Sequence, residues 1–483
     1  MADTTTLHQR IKLFFFVLLG ISVLAGNFFL LKIPPTLRRI HLVESYTLKI
    51  LLLAAGLAII LLTGYYYLSH KDFAKARVRK IIMNTFILLI SLLISLLFLE
   101  LFLQLTSTPG CRQNDPLLDH SYKPHCSSEF KTQEWKVQVD MNGQGLRDDE
   151  LESRDKYQHR ILLLGDSFLM GYGIEKEKRF SEILEQKLQA TGQQVDVINA
   201  GVTSYSPVLE YLYLKERGLG LEPDIVLLLF DMSDVQNDYM YSQRAVYDQE
   251  GKIIAVPYQE PATLLLKIYY NLKIIPLLES ILSFLDSKIP STGKLGSSHF
   301  FDLEYDKYAI TREGLSPQKE QQYWNVSLTY LQKIKQLCEQ HNITFILATY
   351  PYGHQVSPQE WGTGRHNYGF QPGIVYSDKP NSILGEFARR QEIFFISLFL
   401  EFNESKTHPL FFSYDGHFNN AGHALAAEVL YQKLMQLNIF NLVPERTFPP
   451  LPKTESAMEV KNSSSPSAIT KNIYQQFNER DTK

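Results

Sequence analysis

The chain has 483 residues, with 48 Lys and Arg, 51 Asp and Glu and a formal net charge of −3. This length is too great for one ordinary domain, so at least two structural regions are expected. The first 110 residues carry eleven Lys and Arg against four Asp and Glu, a net charge of +7, which leaves −10 on the remainder. An acidic remainder argues against nucleic acid as a partner.

Three apolar segments dominate the amino-terminal region. They are Leu13–Leu31, Ile50–Leu68 and Ile81–Leu103, and each is long enough to cross a hydrocarbon core of ~30 Å as a helix. The first lacks a small-residue cleavage site and is followed by two more, so a retained span is favoured over a signal peptide. Residues 1–12 are then a cytoplasmic amino terminus, and residues 13–105 contain three transmembrane helices.

The loop between the second and third segments sets the orientation. It holds five basic residues between Lys71 and Lys80, which should keep it in the cytoplasm. The chain after the third segment is then extracytoplasmic, in a multi-pass protein of the cell inner (cytoplasmic) membrane whose lipid bilayer is a partner. Cys111 and Cys126 lie just beyond this segment, where an oxidising compartment would allow them to pair. The sequence leaves that pairing open, and Cys338 is expected to be a buried apolar residue.

Strands and helices alternate after residue 159. The polar segment 106–158 precedes them and is interpreted as a stalk with a small leading hairpin. The predicted strands are Ile161–Leu164, Val195–Asn199, Ile225–Phe230 and Thr344–Thr349. The predicted helices lie near Phe180–Ala190, Ser206–Gly218, Leu328–His341 and Asn420–Leu437. This alternation predicts an α/β domain with a mostly parallel sheet buried on both faces.

Two segments interrupt or follow this domain, which is expected to cover residues 159–443. An insertion at about 261–317 contains the apolar stretch Leu264–Leu285. A helix pair covering the sheet is favoured there, and a substrate lid or a membrane-surface element is the alternative. Residues 444–483 are rich in Pro, Ser, Thr, Lys and Glu, and they are expected to be disordered.

Two motifs about 250 residues apart carry the chemistry. In the first, the aliphatic run Ile161–Leu164 leads into Gly165, Asp166 and Ser167, which presents a serine where a strand turns into a helix. In the second, Asp415 precedes His417 by two residues. A capping serine and a turn aspartate are the structural alternative for the first motif. Together the motifs supply a hydroxyl, a base and an acid, the groups that nucleophilic acyl chemistry requires.

Four blocks of the chain resemble those of the SGNH (GDSL-type) hydrolases. They are Ile161–Gly173, Val197–Val202, Pro223–Asp234 and Asp415–Asn419. The segment Asn142–Asp148 is similar to a lead-in found in membrane-anchored bacterial members, and the resemblance runs from about residue 140 to 440. It implies a three-layer αβα sandwich with a mostly parallel sheet, the flavodoxin-like SGNH fold, here preceded by three transmembrane helices.

The resemblance implies roles for particular residues. Ser167 would be the nucleophile, His417 its general base and Asp415 the residue that orients the imidazole. The backbone N–H groups of Ser167 and Gly201 would belong to the oxyanion hole. Family members place an asparagine at the end of the third strand to complete that hole, and here Ser233 stands at the position. Loss of one such donor typically lowers the rate by ~10²–10³.

Two residues near these motifs have less defined expectations. Asn237 follows Ser233 by four residues and could supply the missing amide. His423 follows His417 by six residues and is expected on a helix surface, without a role as the base. No close His, Asp or Glu cluster exists beyond Asp415 and His417, so a metal-dependent hydrolase is discounted, and no cofactor is expected.

Two functions remain open. The first is a membrane-anchored, extracytoplasmic serine esterase or O-acyltransferase that acts on an O-acylated cell-envelope carbohydrate or lipid through an acyl-serine intermediate. If it is a transferase, a separate membrane protein would deliver the acyl group. The second is an inactive SGNH-like module that binds polysaccharide or scaffolds an envelope assembly. Ser233 favours this second function, whereas the retained Ser167, His417 and Asp415 disfavour it.

Overall fold

A computed structural model describes residues 76–106, 110–132, 134–259, 272–275, 277, 309–311, 316–367, 370, 377–441 and 443. The third apolar segment lies in helix α1 (Ala76–Thr106). The first two segments, most of the insertion and the carboxyl-terminal tail lie outside the described residues. Among the residues described, no helix combines the length and apolar content needed to cross a membrane.

Five parallel strands form the central sheet. They are β5 (His159–Gly165), β6 (Val195–Gly201), β7 (Ile225–Phe230), β10 (Thr344–Thr349) and β11 (Phe394–Ser397). Their order is β11-β10-β7-β5-β6, and every residue of β7 is buried. From β5 the chain first adds β6 on one side and then crosses back to add β7 on the other side. The strand order therefore reverses between β5 and β7, which is the switch point of the sheet. The predicted parallel sheet is confirmed.

Helices cover the sheet in two groups. One group consists of α3 (Phe180–Ala190) and α11 (Asn420–Gln436), which pack against each other. The other contains α4 (Pro207–Glu216), α5 (Asp234–Ser242) and α6 (Pro317–Gln340), which are also in mutual contact. Right-handed crossovers in opposite directions from β5 place the two groups on opposite faces. Shorter helices are α2 (Ser167–Met170), α7 (Gly353–Val356), α8 (Gly364–Asn367), α9 (Lys379–Arg390) and α10 (Phe399–Asn403).

The residues that precede the central sheet form two hairpins, where the sequence pattern predicts one. Strands β1 (Arg112–Asp115) and β2 (Asp119–Tyr122) pair antiparallel, as do β3 (Ser127–Lys131) and β4 (Lys136–Asp140). A disulfide between Cys111 and Cys126 links them. We call residues 110–150 the lead-in segment. A third small hairpin joins β8 (Val246–Tyr247) to β9 (Ile253–Ala255).

The lead-in segment packs against the central domain. The backbone of Leu118 bridges to Val256, and the Tyr122 hydroxyl is 2.9 Å from Thr203 Oγ1. Tyr205 donates its hydroxyl proton to the carbonyl oxygen of His120 at 2.7 Å. These buried polar contacts fix the segment to the loop after β6, at the carboxyl edge of the sheet, where ligands bind in folds of this kind.

Candidate active site

Ser167 lies where the buried strand β5 ends and the short helix α2 begins. The strand is aliphatic from Ile161 to Leu164 and buried throughout that stretch. Asp166 ends it by accepting the Phe168 backbone N–H at 2.8 Å, which caps α2. This turn lifts Ser167 out of the sheet and leaves its side chain at the edge of a cavity.

Ser167, His417 and Asp415 are in contact, as the two sequence motifs predict. Ser167 Oγ is 2.7 Å from His417 Nε2, and His417 Nδ1 is hydrogen-bonded to an oxygen of Asp415. When Nδ1 carries the ring proton and donates it to Asp415, Nε2 is free to accept the proton of the serine hydroxyl. The contact therefore has the connectivity of a nucleophile, a base and an orienting acid.

The loop that carries Asp415 and His417 is fixed from two sides. Gly416 has φ of +86°, and a Cβ there would lie 2.6 Å from Trp361 Nε1, so only glycine fits. From the other side, Glu134 of the lead-in segment accepts the backbone N–H groups of Tyr414 and Asp415, each at 2.8 Å. Glu134 is thus a positioning residue that the two motifs do not reveal, since 281 residues separate it from Asp415.

The cavity beside Ser167 has a volume of about 480 Å³ and includes Ser167, Asp415 and His417 in its lining. The lead-in segment contributes one wall through Arg112, Tyr122 and Phe130. The loop after β6 and helix α5 contribute polar groups, which are Thr203, Ser204, Ser233 and Asn237. Tyr172 and Tyr352 also line the cavity. The cavity therefore combines aromatic walls with a few polar groups beside the nucleophile, as small-molecule sites commonly do.

Gly201 does not line this cavity. Its backbone N–H, which the family resemblance assigns to the oxyanion hole, donates instead to the side chain of Asn199 at 3.0 Å. A Cβ at Gly201 would lie 2.4 Å from the backbone nitrogen of Met170, so this glycine allows α2 to approach β6. Ser204 does line the cavity, and its φ of +63° is unusual for a residue other than glycine.

Ser233 and Asn237 both line the cavity, one turn apart around the start of α5. The backbone N–H of Ser233 is committed to a carboxylate oxygen of Asp231. The backbone N–H of Asn237 donates to the Ser233 carbonyl oxygen at 3.0 Å. Their backbone N–H groups are therefore engaged within the protein, and their side chains place a hydroxyl and an amide among the residues that line the cavity.

Several carboxyl groups are buried beneath the site. Asp166 accepts the hydroxyl proton of Tyr350 at 3.1 Å, and Asp231 accepts that of Tyr352. Burial, followed by the nearby Asp231 carboxylate, raises the pKa of Asp166 well above its usual range. Burial likewise raises the pKa of Asp234 and of Glu210. Among the described residues, no group of three or more His, Cys, Asp or Glu is arranged to hold a metal ion.

Arg147, in the part of the lead-in segment that resembles the family, is buried and holds the loop after α2. Its guanidinium donates to the carbonyl oxygen of Gly171 at 2.5 Å and to that of Ile174 at 2.6 Å. Burial lowers the Arg147 pKa to about 10, which leaves the group charged at neutral pH. Fixing this loop also fixes Tyr172, whose ring lies 5.1 Å from the His417 ring.

His423 is buried, so the expectation of a surface position is wrong. Its Nδ1 accepts the backbone N–H of Phe180 at 3.1 Å, and its ring stacks on that of Phe180. The cause is the packing of α11 on α3, which encloses this face of the helix. Burial lowers the pKa of His423 to about 3, so the ring is a neutral core group rather than a second base. Cys338 is buried, as expected.

No protein-family model and no curated protein matches the chain. Solved structures do match it. An acetyl xylan esterase, AlAXEase, is 15% identical, with 56% of this chain and 98% of that chain covered and a TM-score of 0.31. TesA is 14% identical, with 58% and 99% covered and a TM-score of 0.30. A lipolytic protein of the G-D-S-L family from Desulfitobacterium hafniense DCB-2 is 15% identical, with 57% and 99% covered and a TM-score of 0.29. At these identities and TM-scores, the similarity carries no argument about the fold or the activity of this chain.

Proposed function

We propose that the chain is a serine esterase or O-acyltransferase that works through an acyl-serine intermediate. The observation that carries the proposal is the chain of contacts from Ser167 Oγ to His417 Nε2 and from His417 Nδ1 to Asp415. A capping serine and a surface histidine would not require these groups to meet across 250 residues. The cavity beside them gives a substrate access to the hydroxyl.

The chemistry follows from the geometry in two steps. Ser167 Oγ attacks the ester carbonyl carbon while its proton moves to His417 Nε2, and Asp415 stabilises the resulting imidazolium. His417 then gives that proton to the departing alcohol as the carbon–oxygen bond of the ester breaks. The oxygen of water or of a second hydroxyl then attacks the acyl carbon while its proton moves to His417, and His417 returns that proton to Ser167 Oγ as the bond between the acyl carbon and Ser167 breaks. The two acceptors distinguish an esterase from a transferase.

The tetrahedral oxyanion needs donors beside Ser167. The backbone N–H of Ser167 is one, and the cavity-lining Ser204, Ser233 and Asn237 supply a backbone N–H, a hydroxyl and an amide for the others. Gly201 has no part in this proposal because its N–H is committed to Asn199. The hydroxyl at position 233 is the one feature that favours the second candidate, an SGNH-like module without activity that binds polysaccharide or scaffolds an envelope assembly.

The proposal also places this domain outside the cytoplasm on a membrane anchor, with an O-acylated envelope carbohydrate or lipid as the substrate. The three apolar segments and the basic loop between the second and third support this placement. The disulfide between Cys111 and Cys126 fits an oxidising compartment. Protease digestion of sealed membrane vesicles tests it: residues 106–443 should be protected in inside-out vesicles and digested in right-side-out vesicles, and the reverse pattern would contradict it.

Labelling with a serine-reactive fluorophosphonate tests the activity. The full chain in detergent should be labelled and should hydrolyse an aryl acetate, and Ser167→Ala should lose both properties, because the attacking oxygen is gone. Ser382→Ala is the control, since that serine lies on α9, away from the cavity. Unchanged turnover in Ser167→Ala would disprove the assignment, and a folded wild-type chain that neither labels nor hydrolyses would support the module without activity.

A further inference from the structure

Arg112 lines the cavity beside Ser167, together with His417. Its side chain is 54% exposed, and among the described residues its ion-pair partner is Asp119, whose Oδ1 is 3.9 Å from the guanidinium nitrogen. That separation is too long for a hydrogen bond. Arg112 therefore presents a guanidinium to the cavity that the surrounding protein engages only weakly.

Asp119 has stronger partners than Arg112. Its Oδ2 pairs with Arg244 at 2.6 Å, and its Oδ1 is 2.7 Å from His120 Nδ1. Each oxygen of Asp119 therefore has a closer partner than Arg112. The charge of Asp119 is thus shared among other groups, and it does not hold Arg112 away from a ligand.

The remaining acidic groups of the cavity lining do not compete for Arg112. Asp415 is hydrogen-bonded to His417. Asp166 is buried, its carboxyl accepts hydrogen bonds from the Phe168 backbone N–H and the Tyr350 hydroxyl, and burial raises its pKa well above its usual range. No other Asp or Glu is found in the cavity lining among the described residues. An anion that enters the cavity would therefore meet, at this wall, a half-exposed guanidinium whose ion-pair partner, Asp119, lies 3.9 Å away and beyond hydrogen-bond distance.

The backbone that carries Arg112 is held in place. Arg112 follows Cys111, which is bonded to Cys126, and it pairs across the hairpin with Tyr122. The Tyr122 hydroxyl is 2.9 Å from Thr203 Oγ1, on the loop after β6. The start of the Arg112 side chain is thus fixed relative to the central domain, which reduces the entropy lost when a ligand binds.

We propose that Arg112 binds an anionic group, a carboxylate or a phosphate, of the molecule whose ester Ser167 attacks. A guanidinium is planar and can donate two parallel hydrogen bonds to either group. The substrate class is then an acidic O-acylated carbohydrate or lipid. The preference for an anionic ester substrate rests on the proposed function. The binding of an anion at Arg112 does not, because it requires no turnover.

The test compares matched neutral and anionic molecules on the full chain in detergent. The esters are naphthyl acetate and its carboxylate-bearing and phosphate-bearing analogues. Naphthol, naphthoate and naphthyl phosphate serve as ligands for direct binding by fluorescence. Arg112→Gln should lower the preference in kcat/KM for an anionic over the neutral ester roughly tenfold, and weaken binding of the matching anion by a similar factor. Lys123→Gln is the control, because this exposed lysine lies on the same segment outside the cavity.

The outcomes separate the two proposals. If the wild-type chain hydrolyses none of the esters but binds an anion through Arg112, the anion site stands and the proposed function does not. Equal binding of naphthol and both anions to the wild type would overturn the anion site, as would an equal loss in Arg112→Gln and Lys123→Gln. A preference for one of the two anions supports the site and identifies a carboxylate-bearing or a phosphate-bearing substrate.

Discussion

Glu134 offers a test of whether the lead-in segment takes part in catalysis. Its Oε2 accepts the backbone N–H groups of Tyr414 and Asp415, each at 2.8 Å. Asp415 stands two residues before His417, so Glu134→Ala would remove two hydrogen bonds from the loop that carries Asp415 and His417 without replacing either residue. The loop would then keep its packing on Trp361 and its own backbone hydrogen bonds, such as that from the Phe412 N–H to the His417 carbonyl oxygen at 2.8 Å.

The size of the effect can be worked from these two hydrogen bonds. A hydrogen bond to a charged group contributes about 1.5–3 kcal/mol. Two such bonds on a half-buried loop, partly replaced by water, should leave a net loss of about 1–3 kcal/mol in the free energy of unfolding. Misplacement of a catalytic group by about 1 Å can lower a rate by about a hundredfold, so we expect kcat to fall by between about tenfold and a hundredfold while KM changes little.

The assay is steady-state hydrolysis of an aryl acetate over a range of pH, with thermal unfolding measured in parallel. Glu129→Ala is the matched control, since this residue lies on the same hairpin and pairs with Lys136 at 2.7 Å. Glu134→Gln should recover part of kcat, because an amide oxygen can accept the same N–H groups. A folded Glu134→Ala variant whose kcat stays within about twofold of the wild-type value would refute the reasoning.

Two further predictions concern the oxyanion hole and the buried carboxyls. Ser233→Asn should raise the acylation rate in stopped-flow measurements; no gain in a folded variant would mean that Asn237 or another donor already fills the place. Burial raises the pKa of Asp238 to about 7, above its value of ~3.9 in an unfolded chain. The contribution of Asp238 to the stability of the folded chain is therefore fully present below ~3.9 and is lost as the pH rises through about 7. Asp238→Asn keeps an oxygen that can accept hydrogen bonds from Ser206 and Val208, and its side chain does not titrate. In urea unfolding, the free energy of unfolding of this variant relative to the wild type should therefore increase between about pH 4 and about pH 8. A relative free energy that stays constant over this pH range would contradict the prediction.

Much of the sheet follows from the sequence because its strands are short aliphatic runs. Ile225–Phe230 and Thr344–Thr349 have the predicted bounds. The strand Phe394–Ser397 is not among the predicted strands. It is only four residues long and lies at the edge of the sheet, where three of its four residues are partly or fully exposed. A strand this short gives no clear pattern of buried residues in the sequence. Ser167, Asp415 and His417 could be found because each stands in a local motif.

The rest of the candidate site could not be found in this way. Glu134 and Arg112 act across long sequence separations, and neither belongs to a pattern that names its partner. The resemblance assigns Gly201 to the oxyanion hole, but a local hydrogen bond to Asn199 turns its N–H away from the cavity. Whether the Gly201 N–H donates to the Asn199 side chain or to an oxyanion in the cavity depends on side-chain geometry rather than on residue type.

The lead-in segment has a consequence for how this fold can be divided. Ser167, His417 and Asp415 lie on the central domain, whereas Arg112 and Phe130 of the cavity wall lie before residue 159. Glu134, which accepts hydrogen bonds from the loop that carries Asp415, also lies before residue 159. A fragment beginning at β5 would keep the triad but lose the wall. A fragment that retains this wall must therefore include residues 110–150, and exchanging those residues between related chains is expected to change the ligand preference without changing Ser167.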